Sequence, residues 1–95
     1  MYFYEMKIRN DDLIKLNELK LDFLSPPYSF RLASIAETKI AATIDVMKQY
    51  VTEDNEQVQQ LLAIKSSIES DSADMQTIRK LCKDAAAVIT YFTAV

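Results

Sequence analysis

The sequence predicts an all-α fold, a small bundle of three to four helices preceded by an extended N-terminal arm. Three observations carry that expectation. The 95-residue chain contains no glycine, and the tight hairpin turns of β proteins depend on glycine or asparagine at positive φ. Its two prolines are adjacent, at Pro26 and Pro27, which leaves long uninterrupted stretches on either side. Within those stretches apolar residues recur at three- and four-residue spacing, the period of an amphipathic helix.

The elements follow in order. Residues 1–9 alternate, with Tyr2, Tyr4, Met6 and Ile8 on one side and Phe3, Glu5, Lys7 and Arg9 on the other. Period two reads as an extended arm or strand. Asn10 offers an N-cap, with Asp11 and Asp12 in the first turn against the positive helix end. A first helix is expected over 11–24, stopped by SPPYS because Pro26 disfavours helical geometry at Ser25. A second is expected over 29–51, its stripe formed by Ala33, Ala36, Ile40, Ile44, Met47 and Val51. The polar TEDNE link supplies caps for a third over 55–69: Thr52 or Asp54, with Gln57 in a capping-box position. A fourth is expected over 73–94, with a sustained stripe of Met75, Ile78, Cys82, Ala85, Ile89 and Phe92. The whole is one domain: an arm, a helical hairpin over 10–51, and C-terminal helices over 52–95.

Composition excludes several functions. There is no histidine and one cysteine, Cys82. Zinc sites of the Cys/His kind, Ser-His-Asp systems and disulfides within the chain are therefore absent. Without glycine there is no P-loop or Rossmann phosphate cradle. The net charge is −3, and residues 1–50 are balanced while 51–95 carry the acidic excess. Nothing forms a basic stripe for duplex nucleic acid. No run reaches the length of a membrane span, and MYFYEMKIR lacks the pattern of a secretory signal. These features lead to the expectation of a cytoplasmic, non-enzymatic protein with no cofactor and no metal.

Two positions break the helical pattern. In LIKLNELKLDFL, residues 13–24, the apolar face contains Leu13, Ile14, Leu16, Leu19, Leu21, Phe23 and Leu24, with Lys15, Glu18 and Asp22 opposite. Asn17 and Lys20 fall inside the apolar arc, three residues apart. A buried lysine is costly unless paired. Either Lys20 snorkels or meets an acid such as Glu37, or this face is a binding surface where the ammonium meets an anion. Arg31, Ser34 and Thr38 share a polar face of the second helix with Lys39 round the side, read as a solvated face or an anion site. The carboxylates Glu53, Asp54 and Glu56, and Asp71 with Asp74, fit helix caps better than chemistry. Cys82 reads as a small hydrophobe in a helix seam. Tyr2, Phe3 and Tyr4 read as a packed arm or as partner anchors. The final stretch from Ala85 onward is apolar or weakly polar all round, as expected of a central helix or a surface shared between subunits, which here includes Tyr91 and Phe92.

The run NDDLIKLNELK, followed after a proline-containing turn by RLASIAETKI, resembles the helical hairpin of phage anti-CBASS and anti-Thoeris sponge proteins. These sequester cyclic oligonucleotides between subunits without cleaving them. The resemblance implies that Lys20 meets a ligand phosphate and that Tyr4 stacks on a base, at a spacing one residue off. It also implies that Thr38 and Lys39 serve a second ligand site, with lysine where histidine would be expected. It covers residues 4 to about 50, with a shorter link between Lys20 and Arg31, and residues 52–95 have no counterpart in it.

Two functions are thus expected. One is a helical protein that blocks or scaffolds a macromolecular partner, in concrete form a phage-encoded inhibitor of a host system, using Tyr2, Phe3, Tyr91 and Phe92. The other is a homo-oligomeric sponge for a small anionic nucleotide, using Lys20, Asn17, Tyr4, Thr38 and Lys39.

Overall fold

The computed structural model describes residues 7–70 and 74–94. Among these residues the structure is all helical: α1 (Asn10–Leu24), α2 (Leu32–Met47), α3 (Glu56–Ser70) and α4 (Met75–Thr93). The expected arm over residues 1–9 lies mostly outside the described residues. Of its described part, Ile8 packs against the core. No described helix is long and apolar enough to cross a membrane.

The helices run alternately up and down. Arg9, at the start of α1, meets Tyr50, just past the end of α2. Arg79, early in α4, donates to the Pro26 carbonyl just past the end of α1. α4 packs along α1 and α3, and α2 packs along α3. The α1–α2 contact is slighter, and α2 also touches α4 across the bundle, whereas the backbones of α1 and α3 do not approach each other among the described residues. Ala36 on α2 and Ala85 and Ala86 on α4 are all buried, and with no bulk beyond Cβ they let backbones approach.

The core is the one the periodicity marks for α4. Ile78, Cys82, Ala85, Ile89 and Phe92 are all buried, with Met75 packed at the edge. From α2 come Leu32, Ile40, Ile44 and Met47, and from α3 come Val58, Leu61 and Ile68. Thr43 is the one buried hydroxyl of α2, and it is satisfied by donating to the Lys39 carbonyl at 2.7 Å. Side-chain polar groups buried among the described residues all have partners.

Helix ends depart from expectation for local reasons. Asn10 does not cap α1; it is the first helical residue, and Arg9 holds the cap position in extended geometry. α2 starts at Leu32 and not at 29, because Ser29 first forms a turn, accepting from Arg31 N–H at its hydroxyl and from Leu32 N–H at its carbonyl. It ends at Met47 and not at 51, because Gln49 and Tyr50 bond back three residues to Val46 and Met47 and tighten the chain. The cap of α3 is neither Thr52 nor Asp54. Asn55 supplies it, its amide oxygen accepting from the N–H groups of Gln57 and Val58. Asp54 instead accepts from the Thr52 hydroxyl. Asp74 caps α4 by accepting from Thr77 N–H at 2.9 Å, which holds its carboxyl below the ordinary range.

Candidate functional site

α1 is wrapped in more apolar surface than the bundle uses. Only Leu16 and Phe23 of its expected apolar face are buried. Leu13 and Leu19 are half-buried, while Ile14, Leu21 and Leu24 stand in solvent. The helical period explains the division. At 100° per residue, Leu16, Phe23 and Leu19 point inward. Leu24, Asn17, Leu21 and Ile14 then follow one another around one flank, and Lys15, Asp22 and Glu18 around the other.

Contacts fix which neighbour each flank faces. Lys15, Glu18, Leu19 and Asp22 line an open groove of about 390 Å³ against Ala42, Asp45, Val46 and Gln49 of α2. The Lys39 ammonium also reaches the Asp22 carboxylate at 2.9 Å. The charged flank therefore faces α2. The apolar flank is on the side of α4. Past the proline turn, Tyr28 and Phe30 are also exposed, at 83% and 91%. Tyr28 is held there by Arg79, whose guanidinium lies 4.2 Å from the ring centroid. The attraction between cation and ring face positions an exposed aromatic that makes no core contact. Arg31 lies similarly 5.7 Å from the ring of Phe30.

The expected ligand-binding residues are distributed as follows. Lys20 is half-buried on the α4 side of α1, and Asn17 is exposed beside it, within the row of exposed leucines. Lys20 has no ion-pair partner among the described residues. Glu37 is not that partner, because it lies beside Lys65 and Glu69 of α3. Thr38 is exposed and donates to the Ser34 carbonyl. Lys39 is on the far flank of α1 from Lys20, paired with Asp22. The fold therefore brings Asn17 and Lys20 together and leaves Thr38 and Lys39 apart from them. Tyr4, Tyr2 and Phe3 lie outside the described residues. Tyr91 is exposed as a partner contact requires, but Phe92 is not: at 2% exposure it is a core residue, because the α4 stripe turns it inward. Arg31, Ser34 and Thr38 form an exposed polar face.

Of the carboxylates singled out in the sequence, Asp74 caps α4 and Asp54 accepts from Thr52. Among the described residues no group of His, Cys, Asp and Glu is placed to hold a metal ion. Cys82 is buried, and burial pushes its thiol up, away from the reactive thiolate.

One polar cluster escaped the sequence reading. Asp12, buried in the first turn of α1, accepts from the Tyr50 hydroxyl and from Arg9 Nε and Nη2, the last at 3.0 Å. Arg9 also bonds Gln49. Arg9 and Asp12 are i, i+3 neighbours, but Tyr50 and Gln49 stand some forty residues from them, so no local pattern announces the whole cluster. The cluster ties the start of α1 to the end of α2. The hydrogen bonds from Tyr50, then those from Arg9, hold the Asp12 carboxyl below the ordinary aspartate range. A carboxyl depressed in the fold stabilises it at every pH above its unfolded value, and that contribution disappears as pH falls through the folded value. Acid should therefore destabilise the wild type more than Asp12→Asn. Urea midpoints at about pH 7 and about pH 3 check this. Equal losses in the two proteins would remove the tie from the account.

Comparison with known protein families, curated proteins and solved structures finds no match to this chain.

Proposed function

We propose that this protein is a non-catalytic helical binding protein that blocks or scaffolds a macromolecular partner. Its working surface is the α4-facing flank of α1 together with Tyr28. The observation that carries this reading is the row of Ile14, Leu21 and Leu24, exposed along one flank of a helix whose other apolar residues are in the core. Contiguous exposed apolar surface of this kind marks interaction sites.

Selection of helical peptides from a displayed library, against the wild type and against Leu21→Ser/Leu24→Ser, tests the proposal. Peptides captured by the wild type should lose about tenfold or more in affinity for the double variant, as expected when anchors at an interface centre are removed. The melting temperature should barely change. Captured peptides indifferent to the two substitutions would sink the reading.

A second reading is the oligomeric sponge for a cyclic oligonucleotide. It is favoured by Lys20, half-buried and without an ion-pair partner among the described residues, beside the exposed amide of Asn17. A panel of cyclic di- and trinucleotides separates the two. A bound nucleotide at a hundred times its dissociation constant adds about 2.7 kcal/mol of stability. That gain should vanish in Lys20→Ala. The partner-binding reading expects no shift with any of them.

A further inference from the structure

We infer that the occupant of this face is an acidic amphipathic helix of a partner protein, an inference that rests on the binding function proposed above. The first argument is shape. Ile14 and Leu24 are ten residues apart, so the apolar row runs about 15 Å along α1. Its members follow i, i+7, i+10 spacing, a ridge suited to the i, i+3/i+4, i+7 anchors of a docked helix. Tyr28, braced by Arg79, extends the row at one end.

The second argument is charge. Arg79 turns toward α1, as its bond to the Pro26 carbonyl and its place over Tyr28 establish. Lys83 follows one turn later on the same side of α4 and is exposed. Lys20 stands at the inner edge of the apolar row on α1. Around α1 from Lys20 to Ile14 there is no carboxylate, and Asp84 falls on the other side of α4, where Ala87, Val88 and Tyr91 meet α3. Three cations thus border this flank, on a chain whose net charge is −3. Of the acids of α1, Asp12 is buried and Asp22 faces α2, while Asp11 and Glu18 adjoin only the outer edge of the row at Ile14 and Leu21, away from the edge that Lys20, Arg79 and Lys83 border. Apolar anchors fringed by cations suit a helix with leucines on one face and carboxylates beside them.

The same charges argue against a second copy. A two-fold pair would bring this face against itself. Those of Lys20, Arg79 and Lys83 nearest the axis would meet their own counterparts, an unfavourable contact, whereas an acidic helix meets all three with opposite charge.

Three synthetic peptides of roughly five helical turns provide the test. They share one leucine stripe and carry Glu, Gln or Lys on the flanking positions. Fluorescence anisotropy against the full chain should show the Glu peptide binding about tenfold or more tighter than the Lys peptide, with affinity falling as salt is raised. Lys83→Glu should weaken the Glu peptide and strengthen the Lys peptide. Equal affinities for all three peptides, or no binding of the Glu peptide, overturns the inference. The Leu21→Ser/Leu24→Ser variant separates the two levels. Charge-indifferent binding that this variant abolishes sinks only the acidic partner and leaves the binding function standing. Binding that this variant leaves intact sinks both. A wild type that is dimeric by light scattering and monomeric as the double variant places a second copy on the face, which also overturns the inference.

Discussion

Phe23→Ala is expected to remove about 3–5 kcal/mol of stability, the usual loss when a buried aromatic is truncated. Leu21→Ala, two residues away on the same helix, should change stability by about 0.5 kcal/mol or less. Both residues belong to one apolar run in the sequence. In the fold Phe23 is 1% exposed and Leu21 is 61% exposed. Phe23 sits where α1, the proline turn, α2 and α4 converge, beside Pro26, Leu32, Ala36 and Cys82. Little can close over the void it would leave. A domain of this size has about 5–15 kcal/mol in total, so Phe23→Ala spends a large share of it. Thermal melts followed by circular dichroism measure both. A loss at Leu21 comparable with that at Phe23 would show that some part of the chain covers the row, and would remove the surface on which the proposed function stands.

Ala85→Leu should cost about 1–3 kcal/mol through overpacking. Ala85 is fully buried on α4, in the layer where α4 meets its neighbours. Three added carbons there push α4 outward from the bundle or force strained rotamers. Ala87→Leu is the control. It lies two residues on, is exposed, and should be close to neutral. Denaturant midpoints of the pair decide the matter. Equal tolerance at both positions would mean that the helices are not in close approach at Ala85.

These contrasts show which parts of the structure are legible from the chain. The four helices were, because apolar spacing is local. α4 was read almost residue for residue, since the bundle uses its whole stripe. α1 was not, because its apolar arc is wider than the core it meets, and width alone does not say which edge is left over. Asn17 and Lys20 mark that edge: they break the arc where it leaves the core. Asp74 caps α4 as its position suggests, whereas the caps of α1 and α3 fall a residue or so from expectation because several polar side chains compete at those links, and Asn55 prevails over Thr52 and Asp54 through backbone geometry that only the folded chain sets. Phe92 lies on the α4 stripe, which points it into the core as observed; its expected partner role rests instead on the all-round apolar end of α4, which does not override the stripe. The Arg9–Asp12–Tyr50 cluster was invisible because it joins residues far apart in sequence.

Among the described residues the backbones of α1 and α3 do not approach each other, which bears on how the molecule opens. Amide exchange in folded proteins proceeds through cooperative units of unequal stability. Here α1 and α3 meet only through the shared core, while α2 and α4 pack closely on both, so each should loosen with less effect on the other than on its packed neighbours. α2 and α4, each packed on three neighbours, should hold the slowest-exchanging amides. A ligand seated on α1 should slow exchange first in α1 and in α4, then in α2, and reach α3 last and least. The bundle thus has two outer edges joined by one central pair, and a ligand on one edge is expected to leave the other the freer to move.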